Sequence, residues 1–230
     1  MDQITRTAPI QRISLHEEVV TRLRDKILEG ELRPGDWIAE MNLCRELGIS
    51  RTPLREALKV LASENLIALL PNRGAIVTEI VAAEIAELFE ILEALEDLIG
   101  RLAAERASDA DIAALQAQHE TMVEHYRNGR RHAYFDANQA IHRRIAELAG
   151  NQALLATYVG FTGKIRRARY LANISVARWS ESVREHEIFM QALGRRDAIE
   201  FGRLLQEHSR HTGTSVCLEL EAMRAVPAES

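Results

Sequence analysis

Three histidines and one asparagine stand out because helical spacing places each of them on the apolar face of its segment. Asn138 and His142 lie one turn apart on one predicted helix, and His186 and His208 lie on two others. The cores of helix bundles commonly hold metal sites, and neutral imidazole binds zinc, nickel, copper or iron. The four residues therefore indicate a buried divalent-metal site, although each histidine could instead be a hydrogen-bonded core residue.

A second group of residues carries positive charge at the start of another predicted helix. The stretch GISRTPLREAL places Arg51 and Arg55 four residues apart, ahead of Lys59 on the same face. Ser50 or Thr52 can cap this helix, whose first amide groups attract phosphate. Arginine at such a position can bind guanine edges in the major groove or DNA phosphates. The alternative is an ordinary helix with a solvated charged face.

The elements around the basic helix favour DNA binding. Apolar residues at helical spacing predict helices over about 15–28 and 40–47, before the basic helix that ends near Glu64. Two short apolar runs, 66–70 and 75–80, then flank the turn Pro71-Asn72-Arg73-Gly74, which predicts a β-hairpin. This order is typical of a winged helix-turn-helix.

From about residue 81 the pattern is helical to the end of the sequence. The predicted helices cover 82–106, 109–128, 131–149, 151–172, 180–194 and 197–223. The sequence thus predicts a mainly α protein with two domains. Residues 1–80 form an N-terminal winged helix-turn-helix with a small β-hairpin wing, and residues 81–230 form a C-terminal all-α antiparallel helical bundle.

Composition narrows the class of protein. Charged residues make up 27% of the 230 residues and hydrophobic residues 47%, which is ordinary for a globular protein. Two cysteines and the lack of a signal peptide or a membrane-spanning apolar run lead us to expect a cytoplasmic protein without membrane contact. The first 80 residues carry 11 Lys/Arg and 12 Asp/Glu, so only the local arginines, and not the bulk charge, predict a nucleic acid partner.

The stretch LEGELRPGDWIAEMNLCRELGISRTPLREALKVLASENLIALLPNRGAIV resembles the DNA-binding domain of the GntR family of bacterial transcription regulators, over about residues 15–80. The resemblance implies that the recognition helix reads bases or phosphates, that Arg45 lies near the DNA backbone and that the wing tip enters the minor groove. Met41 stands where some relatives carry a DNA-contacting arginine, so operator preference does not carry over. The predicted DNA-contacting residues are Arg45, Ser50, Arg51, Thr52, Arg55, Arg73 and Gly74.

The motifs NQAIHRRIAELAGN and REHEIFMQALGRRDAIEFGRLLQEH resemble the all-helical FCD effector domain of FadR-type regulators, over about 82–212. The helix number is similar to that of the six-helix VanR-like variety. The resemblance implies metal ligands at Asn138, His142, His186 and His208, with zinc or nickel as the expected ion. Aspartate is also used at the first position. Because the Asn138 amide is uncharged, we expect weaker metal retention or an anionic effector as an extra ligand.

The expected effector is a carboxylate. Many relatives carry an arginine four residues before the position of Glu96, and Leu92 stands there in this chain. Arg166 and Arg169, in the run KIRRARY, can supply the cation from another helix, or they can face solvent or the DNA-binding domain. His119 follows a helical stripe and is either a pocket residue or a packing residue.

These features predict an effector-responsive DNA-binding transcription regulator, a repressor that senses a small organic acid in a metal-containing pocket. One recognition helix spans only a few base pairs, so we expect a homodimer on double-stranded operator DNA. The alternative is a metal-dependent enzyme or a ligand-binding scaffold built on the histidine-lined bundle. We do not expect an enzyme, because no separate acid or base accompanies the histidines, with Glu147 off the face of Asn138 and His142.

Overall fold

The computed structural model describes residues 15–28, 30–71, 73–172 and 176–225. The chain divides into two compact units after Thr78, close to the predicted boundary at residue 80. We call residues up to Thr78 the head and residues from Glu79 the bundle. The predicted fold class, a mainly α chain with a winged helix-turn-helix, is confirmed. The described elements are α1 Leu15–Leu28, α2 Glu40–Leu47, α3 Arg51–Ser63, β1 Ile67–Leu70, β2 Gly74–Val77, α4 Ala82–Arg106, α5 Asp109–Arg127, α6 Arg131–Leu148, α7 Gln152–Leu171, α8 Val176–Gly194 and α9 Ala198–Ala225.

The head is built around α3. Its apolar residues recur at helical spacing, and Leu54, Leu58 and Leu61 are buried against α1 and the hairpin. The opposite face of α3 stays exposed, which leaves its basic residues accessible. The helix begins at Arg51, with Ser50 at the N-cap position, and the Ser50 side chain makes no capping hydrogen bond within the described head. The expected side-chain cap is therefore not formed, and Thr52 belongs to the first turn.

The wing is a two-stranded antiparallel hairpin, with Ile67 opposite Val77 and Leu70 opposite Gly74. A third extended segment pairs with it, since Ile38 N donates to Ala75 O at 2.8 Å and Val77 N donates to Asp36 O at 2.9 Å. The sequence did not predict this segment, because one short pairing leaves no alternating pattern. The turn residue Asn72 lies outside the described residues.

The bundle is organised around α4 and α9, which lie very close together. A Cβ atom at Gly202 would lie 2.5 Å from the backbone oxygen of Asp97, and one at Gly100 would lie 2.7 Å from the Gly202 Cα. Only glycine permits this approach of two helix backbones. Helices α5 to α8 complete the bundle, and α4, α6, α8 and α9 bring the histidines and their partners into its core.

Helix ends in the bundle follow the predictions to within a few residues. The largest difference is α8, which begins at Val176 instead of residue 180. The predicted break at 173–175 lies outside the described residues. Among the helices of the described ranges, none is both long enough and apolar enough to cross a membrane.

Candidate nucleic-acid interface and metal centre

The exposed face of α3 lines a groove in the head. The groove has a volume of about 710 Å³ and lies between the start of α2, the outer face of α3 and the hairpin. Arg51, Arg55 and Lys59 all line it, as their spacing predicted, and Glu40 is the acidic residue in its lining. The groove is therefore basic although the head as a whole is not, which suits a polyanion such as DNA.

Contacts within the groove leave its cations accessible. Arg55 Nε lies 3.0 Å from Glu40 Oε2, but the Arg55 side chain is 62% exposed, so water weakens this ion pair. DNA phosphates or base edges can displace such a partner at little cost. Met41, whose side chain is 60% exposed, adds an apolar side chain to the groove lining. By the family resemblance, some relatives carry an arginine at this position.

Of the remaining predicted DNA-contacting residues, Gly74 also lines the groove, and the other four do not. Arg45 lies on α2, where its Nη2 donates to Asn42 Oδ1 at 2.6 Å. Ser50 and Thr52 are exposed at the start of α3. Arg73 is exposed at the hairpin turn, followed by Gly74, whose φ of +89° lies in the left-handed region that favours glycine.

The bundle brings together the three histidines that the sequence placed on separate helices. His142, His186 and His208 are all buried, and one ring nitrogen from each lies within 4.8 Å of the others. The neighbouring ring centroids are 4.8–5.1 Å apart. Such a group fits the spacing needed for one shared divalent ion.

Burial keeps two of these rings neutral. Desolvation in the core, reinforced by His208, holds the pKa of His186 well below its usual range. Desolvation, reinforced by His142, does the same for the pKa of His208. A neutral imidazole keeps a lone pair on one nitrogen, which is the form that binds metal.

Two carboxylates orient the histidines, and the sequence analysis missed both roles. Glu96 Oε1 lies 3.2 Å from His142 Nδ1, and Glu185 Oε2 lies 2.6 Å from His208 Nδ1. Because a carboxylate only accepts, each Nδ1 carries the proton and each Nε2 keeps its lone pair. Neither Nε2 has a hydrogen-bond partner among the described residues. Carboxylate–histidine pairs of this kind are typical of metal sites.

The expectation that no acid accompanies the histidines is therefore wrong, although both carboxylates are engaged in orienting rings. Arg178 holds Glu185 with two hydrogen bonds, of 3.0 and 2.8 Å, and also donates to Thr212 Oγ1. His211 Nδ1 lies 2.8 Å from the other oxygen of Glu185. Glu185 lies on α8 one residue before His186, a placement that could have drawn attention to it.

Asn138 contacts the cluster through its amide nitrogen. Asn138 Nδ2 lies 2.8 Å from His186 Nε2, while Arg169 Nη2 donates to Asn138 Oδ1 at 2.9 Å. The oxygen that the sequence analysis assigned to a metal is thus bonded to Arg169. The guanidinium of Arg169 also lies 5.5 Å from the centre of the Phe135 ring, and burial lowers its pKa.

A narrow cavity of about 20 Å³ adjoins the cluster and is lined by Glu96, His142, His208 and Arg169, among others. Leu92 also lines it, at the position where many relatives carry an arginine. Arg169, on α7, is a cationic residue of this lining. Arg166 does not line the cavity and pairs instead with Asp136 at 3.0 Å.

His119 lies beside the cluster without joining it. Its ring stacks on that of His186, with centroids 6.1 Å apart and planes 10° from parallel. Burial lowers the pKa of His119, and its Nε2 has no hydrogen-bond partner in the described part of the chain. His119 does not line the cavity, so packing is its evident role.

Two family profiles match the chain in the order of its two units. Bacterial regulatory proteins of the gntR family match residues 15–77, and the FCD domain matches residues 87–211. The first match contains the groove of the head. The second contains all three histidines together with Asn138 and Arg169.

Individual relatives agree with these matches. The Nta operon transcriptional regulator of Aminobacter aminovorans is 34% identical over 60% of this chain and 66% of its own length. The HTH-type transcriptional repressor RspR of Escherichia coli is 25% identical over 93% of this chain and 92% of its own. The solved structure of E. coli McbR/YncC has a TM-score of 0.75 at 23% identity, covering 92% of this chain and 100% of that one.

The FCD match alone spans more than half of the chain, and the gntR match precedes it. These matches identify a transcription regulator and not an enzyme. The chain belongs to the GntR family of bacterial transcription regulators, in the FadR-type branch that carries an FCD effector domain.

Proposed function

We propose that this regulator is a repressor that binds operator DNA as a homodimer and releases it when a small organic anion enters a metal-containing pocket of the bundle. The observation that carries the DNA-binding part is the groove in which Arg51, Arg55 and Lys59 lie together. Repression is supported by the RspR relative, which is named a repressor.

The donor set supports a divalent metal as cofactor. His142 and His208 each have a carboxylate on Nδ1 and an Nε2 without a partner among the described residues. His186 completes the group within 4.8 Å. When bound, a zinc or nickel ion supplies positive charge and open coordination positions for an anion. The chain's own residues hold and orient the three rings.

Arg169 supports an anionic effector such as a carboxylate. Among the described residues no carboxylate forms an ion pair with it, whereas Arg166 and Arg178 each have one. A guanidinium held in the bundle without an ion pair is costly, and a carboxylate offers it two acceptors in a matching geometry. The effector would thus meet both Arg169 and the histidine site.

An apolar stripe on α4 supports the homodimer. Its members are spaced alternately by three and four residues, as in the seam between two packed helices. Ile91 is 48% exposed and Leu98 is 38% exposed, whereas the opposite face of α4 is buried against the core. A second copy of the same stripe would cover these side chains. The stripe consists of Leu88, Ile91, Leu95, Leu98 and Leu102.

The metal is tested by elemental analysis of the purified full-length protein. We expect about one transition metal ion per chain, and less in His142→Ala and His186→Ala, which should still bind operator DNA but no longer respond to effector. His16→Ala serves as a control, since this histidine lies on α1 of the head and outside the cluster. Equal metal content in all variants would contradict the site.

The dimer is tested by light scattering. Leu98→Glu should produce monomers and weaken operator binding, because it buries a carboxylate in the stripe. Ile199→Glu provides the control, since Ile199 is 77% exposed and lies outside the stripe. A wild-type protein that is monomeric both alone and on operator DNA would reject the dimer.

A further inference from the structure

We infer that Arg169 is a positioning residue that decides whether Asn138 can act as a metal ligand. The inference rests on the proposed metal site and anionic effector, and it concerns how these two are coupled. An anion that takes over the Arg169 guanidinium releases the Asn138 oxygen to the metal. The observation behind it is the contact chain from Arg169 through Asn138 to His186.

The orientation of the Asn138 amide follows from the chemistry of its neighbours. Arg169 Nη2 lies 2.9 Å from one terminal atom of Asn138, and because a guanidinium only donates, that atom must be the oxygen. The other terminal atom is the amide nitrogen, 2.8 Å from His186 Nε2. An amide nitrogen has no lone pair to give a metal, and it also occupies the lone pair of His186 Nε2.

Arg169 therefore opposes metal binding twice in this arrangement. It engages the Asn138 oxygen, and it keeps the amide nitrogen against Nε2 of His186, one of the two ring nitrogens through which His186 can bind a metal. Rotation of the amide would present two donors to each other at Arg169, so the rotated form is excluded while that contact lasts. Asn138 is fully buried, so no solvent stands in for the lost bond.

The size of the cavity adds a second constraint. A volume of about 20 Å³ is close to the space that one water molecule needs, about 10–15 Å³. An organic anion can therefore enter only if lining side chains move. Arg169 lines this cavity, and its Nε has no hydrogen-bond partner among the described residues. A charged acceptor binds a guanidinium more strongly than the neutral Asn138 oxygen does, so the anion displaces Asn138 from Arg169.

The consequence is cooperative binding. An anion on Arg169 frees the Asn138 amide to turn its oxygen toward the cluster, which tightens metal binding. Reciprocally, a bound metal favours the arrangement in which Arg169 is free for the anion. The pairing of the uncharged Asn138 with the half-buried Arg169 thus links the two binding events.

The test is a double-mutant cycle on the full-length protein, with Zn²⁺ affinity measured by competition with a chromophoric chelator. Arg169→Met removes both the donor and the charge at similar length. We expect Arg169→Met to tighten Zn²⁺ binding. The gain in affinity should be about tenfold larger with Asn138 present than in the Asn138→Ala background, because about tenfold corresponds to the loss of one hydrogen bond to a charged group. An equal gain in both backgrounds would mean that Arg169 acts through its charge alone, and would overturn the inference.

Arg166→Met is the matched control, because it removes the same charge from the same helix at a residue that pairs with Asp136. It should change Zn²⁺ affinity little in either background. If the wild type binds no Zn²⁺, the proposed metal site itself fails, and this inference falls with it. That outcome is distinct from Zn²⁺ binding without coupling to Asn138, which leaves the metal site standing.

A second measurement does not depend on the Arg169 variant. Acetate serves as the anion probe, and the absorption bands of bound Co²⁺ report a change of ligands. We expect acetate to tighten metal binding and to shift the bands of the wild type, with a smaller gain in affinity and a different spectrum for Asn138→Ala. Identical responses of the two proteins would contradict the release of Asn138.

Discussion

The head and the bundle place their functional groups in opposite environments. In the head, Arg51, Arg55 and Lys59 are exposed on a helix whose other face makes the core. In the bundle, His142, His186 and His208 are part of the core itself. The head can therefore lose a functional side chain without losing its fold. In the bundle, site and packing share the same residues, so a change in one affects the other.

The largest expected effect tests the independence of site and fold in the head. Arg51→Ala with Arg55→Ala removes two contacts per chain, each worth about 1–3 kcal/mol, and a dimer loses four. Specific operator binding should vanish in gel-shift assays. The thermal midpoint should stay close to that of the wild type, since neither side chain is buried. Retained affinity would show that another face of the head docks on DNA.

The bundle should respond in the reverse manner, with a loss of stability from a small change at its core. Gly202→Ala places a Cβ 2.5 Å from the Asp97 backbone oxygen, so α4 and α9 must move apart. We expect a loss of about 1–3 kcal/mol in the free energy of unfolding, toward the upper end. Gly160→Ala is the control, because a Cβ there meets nothing within 4 Å. Equal stability of the two variants would contradict the close approach.

A smaller effect should separate metal affinity from packing within the bundle. Glu185→Gln keeps the shape of the side chain but weakens its contacts with His208 and Arg178. Loss of such an orienting carboxylate typically costs about 10- to 100-fold in metal affinity. Chelator competition measures it. Glu181→Gln is a control, because its contact with Arg178 is longer, at 3.8 Å, and more exposed. An unchanged affinity would mean that Glu185 has a structural role only.

The smallest expected effect is a pH dependence confined to the bundle. Burial lowers the folded-state pKa of His186 and His208, so below about pH 6.5 the unfolded chain binds protons that the folded chain does not. The free energy of unfolding of the metal-free protein should thus be at its full value above that pH and decrease as the pH falls below it.

The two tryptophans allow this to be measured for each unit. Trp37 lies in the head and Trp179 in the bundle, so Trp37→Phe leaves fluorescence that reports the bundle alone. In that background, His186→Phe should flatten the dependence on pH. A slope that is the same with and without His186 would contradict its low pKa.

Helical spacing was sufficient to predict the helix faces on which most residues of the two candidate sites lie. It placed Arg51 and Arg55 on the outer face of α3, and it placed the three histidines on the inner faces of α6, α8 and α9. These are local properties, because residues three or four apart share a face of a helix whatever surrounds it. The same reasoning gave the helix ends to within a few residues.

Contacts between distant residues were beyond the reach of that reasoning. Glu96 and His142 are 46 positions apart in the chain, and a glutamate on a long helix is ordinarily a surface residue. The extended segment that pairs with β2 through Trp37 likewise has no recognisable signal in the sequence. Neither the Glu96–His142 contact nor this strand pairing produces a periodic sequence pattern, because each depends on which elements pack together.

By itself, then, the sequence determined the order of the elements, the two domains and the face of the helix on which each functional side chain lies, because these follow from local spacing and turn residues. Only the tertiary structure decided which atoms meet. In the folded protein Glu96 contacts His142, Glu185 contacts His208, and the Asn138 oxygen accepts a hydrogen bond from Arg169. The physical reason is that buried polar groups must find partners, and those partners come from whichever helices pack alongside.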